Sequence, residues 1–218
     1  MRVTFDTNTL DPVTRPELAG SLRAQCRAIH QSLGSKRLEG FFCETVLTVE
    51  GGEGNARAET VARVKRALDV GMHILSAPRI GSVAIDDPNG DLYARDADEG
   101  ALSMRLERYG SIATAIEARG LGFAHVSKVA GPASLNRARA PGDSGKVARA
   151  VAEWADGDSV AAHYGYANHL FCTEDRARKA GRNSVMHPAQ RSWLRRVYGV
   201  NFVGIAELAA LLSPYDSG

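Results

Sequence analysis

Four acidic residues occur where a fold could gather carboxylates at one edge of a sheet. Asp6 closes Val3-Thr4-Phe5-Asp6 and precedes Thr7-Asn8. Glu44 follows Phe41-Phe42-Cys43, and Asp175 ends Leu170-Phe171-Cys172-Thr173-Glu174-Asp175. Asp158 heads Asp158-Ser159-Val160-Ala161-Ala162 and is expected to open a helix. Ligands of open α/β sheets sit beyond the carboxyl ends of strands. Carboxylates collected there repel one another unless a cation joins them, and all-oxygen donors suit Mg²⁺ or Mn²⁺. Each acid also has a plain structural use. Asp6, Asp158 and Asp175 sit where side chains cap helices, and Glu44 could be a solvated residue with Glu50 and Glu53 as neighbours. Asp156, two residues before Asp158, competes with it for any ligand role.

The elements that would position these acids alternate. Residues 2–6 read as a strand. A helix is expected from Thr14, because Thr14 and Glu17 have capping-box spacing with Pro16 in the first turn. Leu18, Leu22, Cys26, Ile29 and Leu33 then recur at helical spacing up to Gly34. Residues 40–49 are apolar and could be a strand or a strand running into a helix. Gly51 to Asn55 reads as a loop, 59–69 as a helix and 72–76 as a strand. Asp87-Pro88-Asn89-Gly90 signals a turn between strands at 82–85 and 92–94. A helix over 102–119 ends at Gly120, 123–126 reads as a strand, and 130–145 as a loop. Helices at 146–154 and 158–168, a strand at 169–173, a helix at 188–198, a strand at 201–204 and a helix at 206–212 complete the chain. Alternation of this kind predicts an α/β fold of three layers, α/β/α, around a mostly parallel sheet.

With 218 residues the chain can bury one substantial core. Its 27 basic and 25 acidic residues nearly cancel, so the distribution of charge says more than the net value of +2. No Asp or Glu occurs from Arg176 to Ala206, a stretch that holds Arg176, Arg178, Lys179, Arg182, Arg191, Arg195 and Arg196. Such a segment suits a phosphate backbone, or else is a solvated helix face. Arg137 and Arg139 could extend it. Trp193 and Tyr198 could stack on bases or belong to the core, and His163 reads as a core histidine. Cys26, Cys43 and Cys172 lack metal-ligand spacing and fit free thiols in a reducing compartment. No apolar run approaches the roughly 18 residues of a membrane span, so a cytoplasmic protein is expected. Gly142 to Lys146 is not a Walker loop, since Ala140 and Val147 stand where Gly and Ser or Thr are required.

At the four acids the chain resembles the PIN-domain family of metal-dependent ribonucleases. The matching pieces are Phe5-Asp6-Thr7-Asn8, Cys43-Glu44-Thr45, Asp158 to Ala162, Phe171 to Asp175, and the tail Tyr198 to Ile205. The resemblance covers about 1–50 and 145–212 of a single domain, with 55–140 as an insertion or small lobe. It implies a PIN-like fold, Mg²⁺ or Mn²⁺ held by Asp6, Glu44, Asp158 and Asp175, and hydrolysis of RNA phosphodiesters. Thr7, Asn8, Thr173, Arg176, Arg178, Lys179 and Arg182 would contact substrate. A toxin with an antitoxin protein partner and an RNA-processing enzyme both follow from it, and a homodimer is an expectation. Two other readings stand beside it: a PIN-like module that binds RNA or protein without cutting, and a metal-dependent phosphohydrolase acting on a small substrate.

Overall fold

A computed structural model describes residues 1–46, 55–79, 89–130, 144–177 and 181–213. Strand β1 (Arg2–Phe5) leads into helix α1 (Thr7–Thr14), and two 3₁₀ turns connect to α2 (Arg23–Gly34). Then come β2 (Glu39–Cys43), α3 (Asn55–Asp69), β3 (His73–Leu75), α4 (Glu99–Ala118), α5 (Phe123–Ala130) and α6 (Ser144–Gly165). The chain closes with β4 (Leu170–Cys172), α7 (Pro188–Tyr198), β5 (Phe202–Val203) and α8 (Ile205–Leu212).

The five strands are all parallel in the order β3-β2-β1-β4-β5, with Thr4 beside both Phe41 and Phe171. Side-chain alternation divides the core into two layers. Val3, Phe5, Phe42, Ile74 and Cys172 face α1, α2, α3 and α8. Phe41, Cys43, Leu75, Phe171 and Phe202 face α4, α6 and α7. The fold is therefore a three-layer α/β/α sandwich, as the alternation predicts. From β1 the chain first winds outward through β2 and β3, then returns to the other side of β1 for β4. The order reverses between β1 and β4, which is where open sheets leave a crevice.

The middle of the chain is built into these layers rather than standing apart. Strand β3 is an edge strand of the sheet, α3 packs on one face and α4 on the other. Tyr93 makes a parallel bridge to Ile74 beside β3. The expected partner strand at 82–85, the Gly51–Gly54 loop and the loop over 131–143 lie outside the described residues.

Three expectations are corrected. Thr14 does not open a helix. It ends α1, and its hydroxyl donates to Leu10 O at 2.8 Å. The 3₁₀ turns at Pro16–Leu18 and Gly20–Leu22 delay α2 until Arg23. Residues 123–126 are helical, not a strand: Val126 is buried against Val147, Ala150, Val151 and Trp154, and Phe123 lies 4.9 Å from Trp154. Four apolar-rich residues do not distinguish the two states, and packing on α6 decides. Finally, the two helices expected at 146–154 and 158–168 are one helix. Gly157 costs such a helix about 1 kcal/mol, but burial of Trp154, Val160 and Ala161 on either side outweighs it. The expected helix at 188–198 matches α7, where Gly199 at φ +70° supplies the left-handed C-terminal stop.

Candidate active site

Asp6 follows β1 directly, at the point where the strand order reverses. It caps α1 by accepting from Thr7 N at 2.8 Å. Its other oxygen accepts from Asn8 Nδ2 at 2.6 Å and from the Thr173 hydroxyl at 2.5 Å. Thr173 follows β4 and so ties the ends of the two central strands together. Its hydroxyl oxygen also accepts from Asp175 N at 3.0 Å. Asn8 returns the tie by accepting from Glu174 N at 3.0 Å. Asp175 turns one oxygen onto Ala177 N at 2.7 Å, and Arg191 donates to its carbonyl. Burial raises the Asp6 carboxyl pKa. Hydrogen bonds from Thr173, Thr7 and Asn8 oppose this, and the nearby Asp175 charge adds to it.

These residues line one wall of a cleft of about 1050 Å³. The facing wall comes from α5 and α6 and carries His125, Lys146, Arg149, Glu153 and Asp156. Burial raises the Glu153 pKa as well, against a hydrogen bond from Ser184 and with help from the Asp175 charge. Asp6, Glu153 and Asp175 thus form a field of like charge. Lys146, Arg149 and Arg176 are exposed on the same cleft. None of the residues on the facing wall except Asp156 was expected from sequence. The signal was there once α6 is read as continuous: 146, 149, 153 and 156 then fall on one helical face.

Glu44 and Asp158 do not line this cleft. The Glu44 side chain turns toward the end of β3, where it accepts from the Ser76 hydroxyl, Ala77 N and the Tyr93 hydroxyl. Asp158 is fully buried between α6 and α4. It accepts from Arg79 at 2.6 Å and from the Tyr109 hydroxyl at 2.8 Å. Glu117 is the second partner of Arg79. Asp156 and Asp158 lie about 200° apart around the helix, so only one of them can face the crevice. Of the two, Asp156 faces it. The expectation that Asp158 opens a helix is corrected with this: it sits well inside α6, and its carboxylate serves an ion pair.

The chain matches no family model, no curated protein and no solved structure.

The remaining sequence-predicted residues divide. Thr7, Asn8, Arg176 and Thr173 are at or beside the cleft. Arg182 lies in an exposed 3₁₀ turn, and Arg178 and Lys179 fall outside the described residues, as do Arg137, Arg139, Glu50 and Glu53. Arg191 is a structural residue, with its guanidinium 5.1 Å from the Phe202 ring centre and bonds to two carbonyls. Trp193 and Tyr198 pack edge to face with each other at 5.7 Å and against the core. His163 is a core histidine. It meets the Thr4 hydroxyl at 2.9 Å, and burial pushes its pKa down to about 3. All three cysteines are free and buried.

The donors at the cleft are oxygens of like charge, which suits a hard divalent cation. Asp6 and Asp175 would hold it first, with Asp156 and Glu153 on the facing helix. Among the described residues no three His, Cys, Asp or Glu side chains already stand together as a metal-binding group. Among those residues, too, no helix is long and apolar enough to cross a membrane.

Proposed function

We propose that the protein is a Mg²⁺- or Mn²⁺-dependent nuclease that hydrolyses RNA phosphodiester bonds at the Asp6–Asp175 cleft. The observation that carries this reading is the meeting of Asp6 and Asp175 at the β1/β4 reversal, with Asp156 and Glu153 across the cleft and Lys146, Arg149 and Arg176 at its rim. The resemblance to PIN domains at Phe5-Asp6-Thr7-Asn8 and Phe171 to Asp175 points the same way. Asp156 takes the place that the resemblance gives to Asp158.

A divalent ion held by Asp6 and Asp175 would supply a water of lowered pKa and neutralise charge on the phosphoryl oxygens. The residues of the chain do the rest. Thr173 and Asn8 fix the Asp6 carboxylate in one orientation. Lys146, Arg149 and Arg176 draw the phosphate toward a centre that is otherwise negative. The test is cleavage of end-labelled single-stranded RNA with Mg²⁺, with Mn²⁺ and with EDTA. Metal-dependent cutting by the parent, lost in Asp6→Asn and Asp175→Asn, is the expected result. Thermal melting adds a readout independent of activity: Mn²⁺ should raise the melting temperature of the parent and not of Asp6→Asn.

A second reading is favoured by a specific observation. Glu44 and Asp158 are both engaged away from the cleft. A module that binds RNA without cutting it needs no complete ligand set. RNA bound equally well in either metal and in EDTA, and never cut, would select that reading.

A further inference from the structure

We infer that the strand occupies a second groove beside the carboxylate cleft, where Arg176, Arg195 and Arg196 hold its phosphates and apolar surface receives an unpaired base. This rests on the proposed action on nucleic acid and extends it to the path of the substrate. The groove measures about 860 Å³ and lies between α7, β5 and the start of α8. Glu174 and Arg176 line both hollows, so the two are contiguous.

The groove contains four arginines and two carboxylates, and the hydrogen bonds show which of them are committed. Glu174 accepts from Ile205 N at 2.7 Å and Glu207 from Gly204 N at 2.8 Å. Both acids are therefore turned toward the N-terminus of α8, and against the four guanidinium groups they leave the groove a formal excess of two positive charges. Arg191 is spent on the carbonyls of Asp175 and Met186. Arg195 makes one long contact of 3.5 Å to Phe202 O. Arg176 and Arg196 are exposed and form no ion pair among the described residues. Three cations thus face the groove beside carboxylates already turned to backbone amides.

A partner must supply negative charge at intervals and a flat apolar group between. Leu22, Pro188 and Val203 add apolar surface to the lining of the same groove. Single-stranded nucleic acid offers both features, whereas a duplex buries its base faces and offers only phosphates. Contiguity with the cleft fixes the direction: the strand passes from Arg195 and Arg196, over Arg176, to the Asp6–Asp175 centre. The groove would then hold nucleotides on one side of the scissile bond.

The test is fluorescence anisotropy of 12-nucleotide single-stranded RNA and DNA in EDTA, across a range of salt. The full chain is compared with Arg195→Ala/Arg196→Ala and with Lys65→Ala, an exposed lysine on α3 away from both hollows. The double variant should bind about tenfold more weakly, and its salt slope should fall by about 1.4, the value for two lost phosphate contacts on a single strand. Lys65→Ala should bind as the parent does. Equal affinity and slope in parent and double variant would overturn the inference. So would binding of a poly-glutamate peptide of matched charge in place of either oligonucleotide. Because binding is read in EDTA, a protein that proves unable to cut leaves this result standing. Loss of the groove leaves the cleavage assay readable by itself.

Discussion

Asp158→Asn and Asp156→Asn should separate stability from activity in opposite directions. Asp158 is fully buried and receives hydrogen bonds from Arg79 and Tyr109. Burial raises its pKa despite those two partners, while the Asp158 bond and charge outweigh the burial of Arg79 and keep that guanidinium above its ordinary value. Removing one member of a buried pair costs about 3–5 kcal/mol, because the other charge is left uncompensated. Two features place this case at or below the low end. The Arg79 side chain is 29% exposed and keeps Glu117, and an asparagine carbonyl still accepts one of the two bonds. A loss of about 2–3 kcal/mol follows, which moves the urea midpoint down by roughly 1–1.5 M at an m-value near 2 kcal/mol/M.

Asp156 is half-buried at the edge of the cleft. Its conversion to Asn should cost under about 1 kcal/mol. On the proposed nuclease reading, cleavage of single-stranded RNA should nevertheless fall by at least roughly 100-fold, because losing a ligand should exceed the roughly 10- to 100-fold loss caused by disturbing the residues around a metal centre. The assays are urea unfolding followed by circular dichroism and cleavage at a temperature well below either transition. A stable Asp158→Asn protein that cannot cut, beside an Asp156→Asn protein that can, would refute the assignment of the two residues.

Three further outcomes are expected. Asp6 has a raised folded pKa, so its contribution to stability is fully present below the unfolded value, near 3.8, and is lost as pH rises through the folded pKa. In chemical unfolding between pH 4 and 7, Asp6→Asn should therefore remove part of that downward slope, and an unchanged profile would contradict the buried, repelled carboxylate. His163 works in the other sense: its folded pKa lies at about 3 against 6.5 unfolded, so stability is lost as pH falls below 6.5, by up to roughly 1.4 kcal/mol per unit. His163→Gln should flatten this acid limb, and a limb as steep as in the parent would place the proton uptake elsewhere. Gly40→Ala would bring a methyl to 2.6 Å from Leu33 Cδ2 and 2.8 Å from Met72 Cγ, so unfolding should shift by about 1–3 kcal/mol; no shift would mean that α2 and β2 are not packed as described.

Fold class was legible because it depends on periodicity. Short apolar runs at 2–6, 169–173 and 201–204 contain the strands β1, β4 and β5, and Pro188 with Gly199 bracket α7 through local chemistry. The misreadings share one cause. Thr14, Gly157 and the run at 123–126 carry local signals that tertiary packing overrules. Reading α6 as two helices also changes which acids are assigned to the crevice. Breaking α6 makes Asp158 an apparent N-cap at the sheet edge, and it leaves Asp156 outside the helix whose face carries Lys146, Arg149 and Glu153 to the cleft.

The placement of Asp6 and Asp175 beside one cleft does not depend on reading a helix phase. Asp6 directly follows β1 and Asp175 lies three residues beyond the end of β4, so the parallel pairing of Phe5 with Cys172 brings both to the same edge. Glu44 also follows a strand, which shows that edge placement alone is insufficient. Its partners Ser76 and Ala77 belong to the segment after β3, on the side of β2 away from β1. The crevice opens on the other side, between β1 and β4, where the winding reverses and no crossover fills the gap. A carboxylate contributes to this site only if it is at the strand ends and adjacent to that reversal. Asp6 and Asp175 satisfy both conditions, and Asp156 reaches the same crevice from the helix that covers it.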